Sequence, residues 1–516
     1  MTQIKRIVIL GGGSAGWLTA GVIAAEHDAA RPTGLEVTVL ESPEVAPIGV
    51  GEGTWPTMRD TLRCIGVTES DFVRECAASF KQGSRFDGWA TGAAGERYYH
   101  PFVLPQGYSD INLASGWLQR HAEVPFADLV SFQPHLCAHD KAPKQAATPE
   151  YAAVANYAYH LDAGKFGPFL RRHCVERLGV RHVAGHMTGI RTHENGDIAA
   201  LETQSHGELA GDLFIDCTGL ASLLLGQHYG VRLRSQQHVL FNDSALAVQV
   251  PYGSEDHAIA SQTIATAQRS GWIWDIGLPT RRGIGYVYSS AHTTDEAAER
   301  ELRHYVESTG AAGQIEQPRK LSFNPGFRER FWHRNCVAIG LSAGFIEPLE
   351  ASALVLIELS AGMLSDTMPA TRDEVDIVAQ RFNHCFAYRW ERVIEFLKMH
   401  YVLTQRTDAA FWRDHRREAS IPQRLKEQLA LWQHRPPSRH DFSSAEEVFP
   451  SASYQYVLYG MGFRPQPSAS TRRRDDAERA SGCFRETAAM TARMLGALPT
   501  NRELLRHIQR KGLPRI

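Results

Sequence analysis

The run "RIVILGGGSAGWLTAGVIAAEH" at 6–27 constrains the fold more than any other stretch. Arg6 to Leu10 are rich in β-branched residues and alternate little, as a buried parallel strand does. Gly11, Gly13 and Gly16 follow at GxGxxG spacing, and Ala15 to Ala25 are good helix formers. Strand, glycine turn and helix therefore stand in the order of a dinucleotide-binding unit. The glycines let the backbone approach a pyrophosphate, and Ser14 and Ala15 open the helix whose positive end would face it. A second strand, "EVTVLE", ends at Glu41, whose carboxylate is placed to accept from ribose hydroxyls. The insertion "HDAARPTGL" lengthens the usual spacing to that acid. The bland alternative is an ordinary glycine-rich strand-to-helix turn.

Two later segments return to the same motif. "FIDCTG" at 214–219 and "NCVAIGLSAGFIEPLE" at 335–350 each read as an apolar strand ending in small residues. Two late returns fit FAD, whose isoalloxazine lies far from its adenine, better than NAD alone. No second complete fingerprint offers a site for a nicotinamide cofactor: "GIG" at 283–285 has strand-like neighbours and lacks the third glycine. Electrons would then come from outside, from a separate NAD(P)H flavin reductase or as free reduced flavin.

Composition narrows the class. A chain of 516 residues, 43% hydrophobic and 22% charged, is that of a folded protein with intermixed subdomains. A formal charge of −2 gives no field for nucleic acid or a lipid surface. The eight cysteines form no CxxC pair and read as reduced, mostly buried thiols. No cleavage region is seen, and no span reaches the roughly 20 apolar residues a bilayer needs, so a cytoplasmic location is expected.

Lys81 sits in "SFKQGSRF", and a lone lysine is ordinarily a surface residue. Trp272 and Trp274 in "SGWIWDIGLP" fall on one face of a strand by alternation, and a half-buried sheet face is the ordinary reading. Taken with the glycine loop, these pieces are no longer generic. "GGGSAGW" at 11–17, "PIGVGEGTWP" at 47–56, "SFKQGSRF" at 79–86, "YYHPF" at 98–102, "FIDCTG" at 214–219, "GWIWDIGLP" at 271–279 and "AGFIEPLEASA" at 343–353 occur in one order. In that order the sequence resembles the flavin-dependent halogenases of the tryptophan halogenase family.

The resemblance implies that reduced FAD, dioxygen and a halide ion, chloride or bromide, give hypohalous acid. The oxidant crosses a tunnel to a lysine, here Lys81, which hydrogen-bonds it or forms a haloamine and presents it to an aromatic substrate. Electrophilic substitution needs a carboxylate to stabilise the cationic ring and take its proton; the family glutamate falls on Glu350. The ordinary reading of Glu350 is an acid at a helix N-terminus, with Pro348 in the first turn. The halide site, backbone groups just after the glutamate, falls on Ser352 and Ala353, where many tryptophan-specific members have Thr and Gly. Gly49 and Val50 in the strap "PIGVGEGTWP", together with Gly340 and Leu349, fall on flavin-contact positions. Trp272 and Trp274 match a pair that screens the flavin site from substrate.

His100 and Phe102 match positions beside the substrate; otherwise "YYHPF" is a strand end with core aromatics. Tyr454 and Tyr456 in "SASYQYVLYGMGF" match the paired tyrosines of a C-terminal lid, but no acid follows for many residues. The partner for a free amino acid's ammonium is therefore missing, and indole, an indole derivative or another electron-rich arene fits better than free tryptophan, with a tryptophan inside a peptide as a further alternative. No metal is called for, and families of this kind often form homodimers.

The expected fold class is α/β: an FAD-binding Rossmann-like domain of the GR2-type, flavin monooxygenase-like kind, with a mainly helical substrate-binding subdomain. The flavin core is expected at 1–110 and 150–360, and the helical cap and lid at 111–149 and 361–516. Two other functions compete. A flavin-dependent aromatic monooxygenase would hydroxylate instead and has no need of Lys81 or the tryptophans. A non-enzymatic FAD carrier would need none of the catalytic residues.

Overall fold

A computed structural model describes residues 3–44, 51–310, 316–444, 447–466 and 477–515. Gly49 and Val50, and most of the tail after Gln466 expected as a lid, lie outside the described residues. The chain forms two compact units, each built from three separated segments. The first comprises Met1–Ala78, Leu161–Gln236 and Asn324–Trp390; the second comprises Ser79–His160, Gln237–Phe323 and Glu391–Ile516.

The first unit is organised by a six-stranded sheet. In spatial order its strands are Trp332–His333, Cys336–Ala338, Leu213–Asp216, Arg6–Leu10, Glu36–Glu41 and Arg181–Ala184. All neighbours are parallel except the first pair. Ile7, Val8 and Ile9 are buried on both faces, which explains the unbroken apolar run. The helix Ser14–Glu26 packs against the helices Ala163–Arg177 and Ser352–Asp366. Its inner turns use Ala20, Gly21 and Ala24, all buried, which lets the helices approach closely. "FIDCTG" supplies the strand beside the first one and "NCVAIG" the next strand out, both strands as their composition suggested.

The second unit holds a seven-stranded sheet, ordered Arg319–Ser322, Ser244–Pro251, Arg281–Tyr288, Gly271–Gly277, Thr263–Ala267, Gly83–Asp87 and Arg97–Pro101. All pairs are antiparallel except Thr263–Ala267 with Gly83–Asp87. One face is covered by the helix Asp295–Ser308, where Ile273, Ile284 and Tyr286 pack on Leu302 and Val306. Ile273 faces that helix, so Trp272 and Trp274 must share the opposite face. The "GIG" triplet lies inside the strand Arg281–Tyr288. The described residues of 111–149 and of 361–516 form helices and turns and no strand. Among the described residues no helix is long and apolar enough to cross a membrane.

Candidate active site

The glycine loop leaves the carboxyl end of the strand Arg6–Leu10, where parallel sheets hold ligands. Gly11 has φ +113°, and a Cβ there would stand 2.3 Å from the Cys217 carbonyl oxygen. A Cβ on Gly16 would stand 1.9 Å from the Gly11 oxygen, so the turn closes only with glycine. A Cβ on Gly13, by contrast, meets nothing within 4 Å. No side chain caps the helix that starts at Ser14, so its first N–H groups face that open side. This is the arrangement a pyrophosphate requires, and the residues fit FAD. Glu41 lies against the loop: a Cβ on Gly12 would come 2.2 Å from its carboxyl carbon. Its Oε2 is 2.9 Å from His182 Nε2 and 3.5 Å from Arg171. Gly340, at φ +79°, closes the cradle from the far end of the sequence, since a Cβ there would meet Ala15 at 2.7 Å.

The segment after Gly340 carries the next group of expected residues. Gly340, Ser352 and Ala353 line one pocket with Leu356, Phe386 and Trp390. Leu349 is buried in the turn before it. The structure departs here from a simple helix start at Pro348. Glu350 and Ala351 are both left-handed, at φ 65° and 56°, and the helix Ser352–Asp366 begins only after them. Each such residue without glycine costs roughly 1–2 kcal/mol, and backbone strain of this kind collects at functional sites. Trp55 Nε1 donates to the Glu350 carbonyl at 2.7 Å. Glu350 is buried, and the helix behind it has no side-chain cap, so the first amides of Ser352 and Ala353 are not taken by a capping group.

Lys81 belongs to the second unit. It ends the strand Ser79–Lys81, which pairs with Ala158–Leu161 so that Ser79 faces His160 and Lys81 faces Ala158. The residue is 1% exposed, which removes the surface reading. Its Nζ stands 5.5 Å from the centre of the Phe102 ring. His160 is fully buried, with Nε2 2.8 Å from Thr263 Oγ1. Desolvation, and then the charge of Lys81, holds its imidazole well below the usual range. His100 is buried, 5.8 Å from the Phe396 ring and 6.2 Å from the Tyr456 ring.

The helix Ser451–Gly460 carries both expected tyrosines, and that separates them. Residues two apart on a helix point about 200° from each other. Tyr456 meets His100, and its hydroxyl donates to the Val103 carbonyl at 2.8 Å. Tyr454 packs on Phe396, Trp432 and Phe442 instead. Trp272 and Trp274 are buried, 6.4 Å apart and edge-on, and Trp272 continues to Trp89 at 6.3 Å. Trp274 lies over Gly285, where a Cβ would come within 2.1 Å of its ring, and its buried Nε1 has no hydrogen-bond acceptor among the described residues.

Several positioning residues escaped the sequence reading. Gln82 Nε2 donates to the Lys141 carbonyl at 2.6 Å, and its Oε1 accepts from Gln133. Gln133 also accepts from the Val103 amide, while Asn156 donates to the Phe102 carbonyl. This buried network fixes the 102–103 segment beside Lys81. In the first unit, Asp216 accepts from the Thr218, Leu224 and Leu225 amides and fixes the loop after "FID". Glu358 accepts from the Thr61 hydroxyl at 2.7 Å and the Thr57 hydroxyl at 3.4 Å. Burial pushes its carboxyl up to about 8, and burial pushes Glu52 up to about 7.

The tryptophan halogenase family model matches residues 6–476. A tryptophan halogenase structure from Shewanella frigidimarina NCIMB 400 is 48% identical, covers 100% of this chain and 99% of its own, and superposes with a TM-score of 0.95. A 7-chloro-L-tryptophan 6-halogenase of Kutzneria sp. (strain 744) is 33% identical over 97% of this chain and 98% of its own. A flavin-dependent halogenase from Brevundimonas sp. BAL3 is 34% identical over 98% of this chain and 99% of its own, with a TM-score of 0.85. On this match, and on the glycine cradle, the chain belongs to the tryptophan halogenase family and is a flavin-dependent halogenase.

Proposed function

We propose that the protein halogenates indole or an indole derivative in preference to free tryptophan, with FAD as cofactor and chloride or bromide as co-substrate. The observation that carries this is Lys81: a fully buried amine beside an aromatic ring, in a unit that also brings His100 and Tyr456 together. Bound reduced flavin supplies the two electrons by which dioxygen and halide become hypohalous acid and water. Gly11, Gly13, Ser14, Ala15 and Gly16 would hold its pyrophosphate, Glu41 its ribose, and Gly340 and Leu349 would support the ring end; Gly49 and Val50 complete the reading by resemblance alone.

The amides of Ser352 and Ala353 orient the halide. Lys81 receives the oxidant, and its ammonium hydrogen-bonds the oxygen as the halogen leaves for the ring. The hydroxide released takes a proton and departs as water. The ring carbon keeps the halogen and loses its proton to the Glu350 carboxylate. His100, Phe102 and Tyr456 stack on the arene, with Tyr454 behind them through Phe396; such pairs are worth about 0.5–1.5 kcal/mol each beyond burial. By the resemblance, Trp272 and Trp274 would screen the flavin site from the arene. The stretch 451–466 holds no Asp or Glu to meet an amino-acid ammonium. With no complete second glycine fingerprint, a separate NAD(P)H flavin reductase supplies the electrons in the cytoplasm. The expected division, core at 1–110 and 150–360 with a cap at 111–149 and 361–516, and a homodimeric assembly belong to the same proposal.

The test uses the purified protein with a separate reductase, FAD, NADH, oxygen and bromide, offered indole and tryptophan in parallel. Mass spectrometry should find a bromine isotope doublet on indole and little on tryptophan. Equal bromination of tryptophan would overturn the substrate reading. Oxygen added in place of bromine would identify a hydroxylase.

A further inference from the structure

The segment 55–61 is stapled to the turn and helix that carry Glu350. Trp55 Nε1 donates to the Glu350 carbonyl at 2.7 Å. Six residues on, the Thr61 hydroxyl donates to Glu358 at 2.7 Å, on the helix that begins at Ser352. Between these two points lies a turn with two consecutive left-handed residues, neither of them glycine. Its internal bond runs from the Ala351 amide to the Pro348 carbonyl at 2.9 Å. Left-handed non-glycine residues persist where the surroundings over-determine them, and the indole N–H is an external tie placed on the strained peptide itself.

We propose that Trp55 is a positioning residue for Glu350: its indole N–H holds the Glu350 carbonyl and fixes the left-handed turn from which the carboxylate is aimed. The inference rests on reading Glu350 as the group that takes the ring proton. Trp55 itself touches no reacting atom. A carboxylate displaced by about 1 Å can cost on the order of 100-fold in rate. The loss falls on proton removal from the halogenated ring, not on formation of the oxidant.

Trp55→Phe keeps an aromatic ring and removes the N–H. Hypobromous acid output, captured by a β-diketone scavenger, should match the wild type. Brominated indole per hypobromous acid should fall by about 10- to 100-fold, and perdeuterated indole should react more slowly than indole in the variant but not in the wild type. A purely structural defect would lower both outputs and create no isotope effect. In the protein without flavin or substrate, amide hydrogen exchange at Glu350 and Ala351 should quicken by about tenfold, while the helix amides from Ser352 onward keep their protection. Unchanged exchange there overturns the role of Trp55 whatever the activity, whereas a wild type that halogenates no arene sinks the functional reading and leaves the exchange result standing. Should Trp55→Phe fold poorly, Trp55→Phe with Ala351→Gly replaces it. Glycine removes the left-handed cost at 351, so exchange should move back toward the wild type; no recovery overturns the proposal.

Discussion

Replacing Glu358 by Gln should make the protein more stable in mildly alkaline solution and leave it nearly unchanged in acid. The carboxyl is 6% exposed and is lifted from an ordinary value near 4.5 to about 8, with desolvation the largest cause. Among the described residues the Thr61 and Thr57 hydroxyls, and no cation, meet it, and they offset only part of the cost of charging it. A carboxyl whose folded value is raised stabilises fully below its unfolded value, and that contribution is lost as pH rises through the folded value. Each tenfold change in proton affinity is about 1.4 kcal/mol, so the ceiling between pH 4.5 and pH 8 is about 5 kcal/mol. Relaxation and water entry reduce such costs in real proteins, and a difference of at least about 2 kcal/mol is expected. Gln keeps the shape and an acceptor oxygen while carrying no charge at any pH. Thermal unfolding of both proteins at pH 5 and pH 8.5 reads the effect. The variant's advantage should be absent at pH 5 and amount to about 2–5 °C at pH 8.5 if the chain melts as one unit. Parallel curves at the two pH values would refute the reasoning, because they would mean that Glu358 ionises without penalty.

Gly16→Ala should abolish flavin binding measured by fluorescence titration, because its Cβ would lie 1.9 Å from the Gly11 oxygen; binding within a few-fold of the wild type would contradict the tight turn. Lys81→Ala should leave scavenger-trapped hypobromous acid intact while bromination of indole falls by about 100-fold or more. Asp275 pairs with Arg282 almost fully out of water and also accepts from Tyr305 at 3.0 Å; Asp275→Ala strands the guanidinium and should cost about 3–5 kcal/mol in denaturant unfolding. Tyr456→Phe removes the 2.8 Å bond to the Val103 carbonyl, and a loss of about 0.5–1.5 kcal/mol is expected, with the KM for indole raised.

What could be read from the sequence depended on whether a local period existed. The apolar run at 6–10 and the glycines after it announce a strand, a turn and a helix because each has its own spacing. Trp272 and Trp274 share a face because a strand repeats every two residues, and the core at Ile273 bears this out. The same two-residue spacing at Tyr454 and Tyr456 gave no warning that a helix would turn the two rings apart. Glu350 and Ala351 lack the glycine that usually marks a left-handed turn, so the delayed helix start was hidden. Gln82, Gln133 and Asn156 meet only after distant segments fold together, and no window of sequence contains that network.

Gly340 closes against Ala15 on the helix that the N-terminal glycine loop opens. During synthesis the loop emerges before the residue that completes its cradle, which follows more than 300 residues later, at Gly340 after Gly16. The second unit is interleaved in the same way, so its strand Ser79–Lys81 waits for Asn501, whose side-chain amide donates to the Phe80 carbonyl at 3.1 Å. Contacts this remote in sequence slow folding and leave apolar strands exposed on the nascent chain. A chain of this design is therefore a poor candidate for co-translational capture of its flavin and a strong client for chaperones, and yields should respond to slower, cooler expression more than to flavin added to the medium.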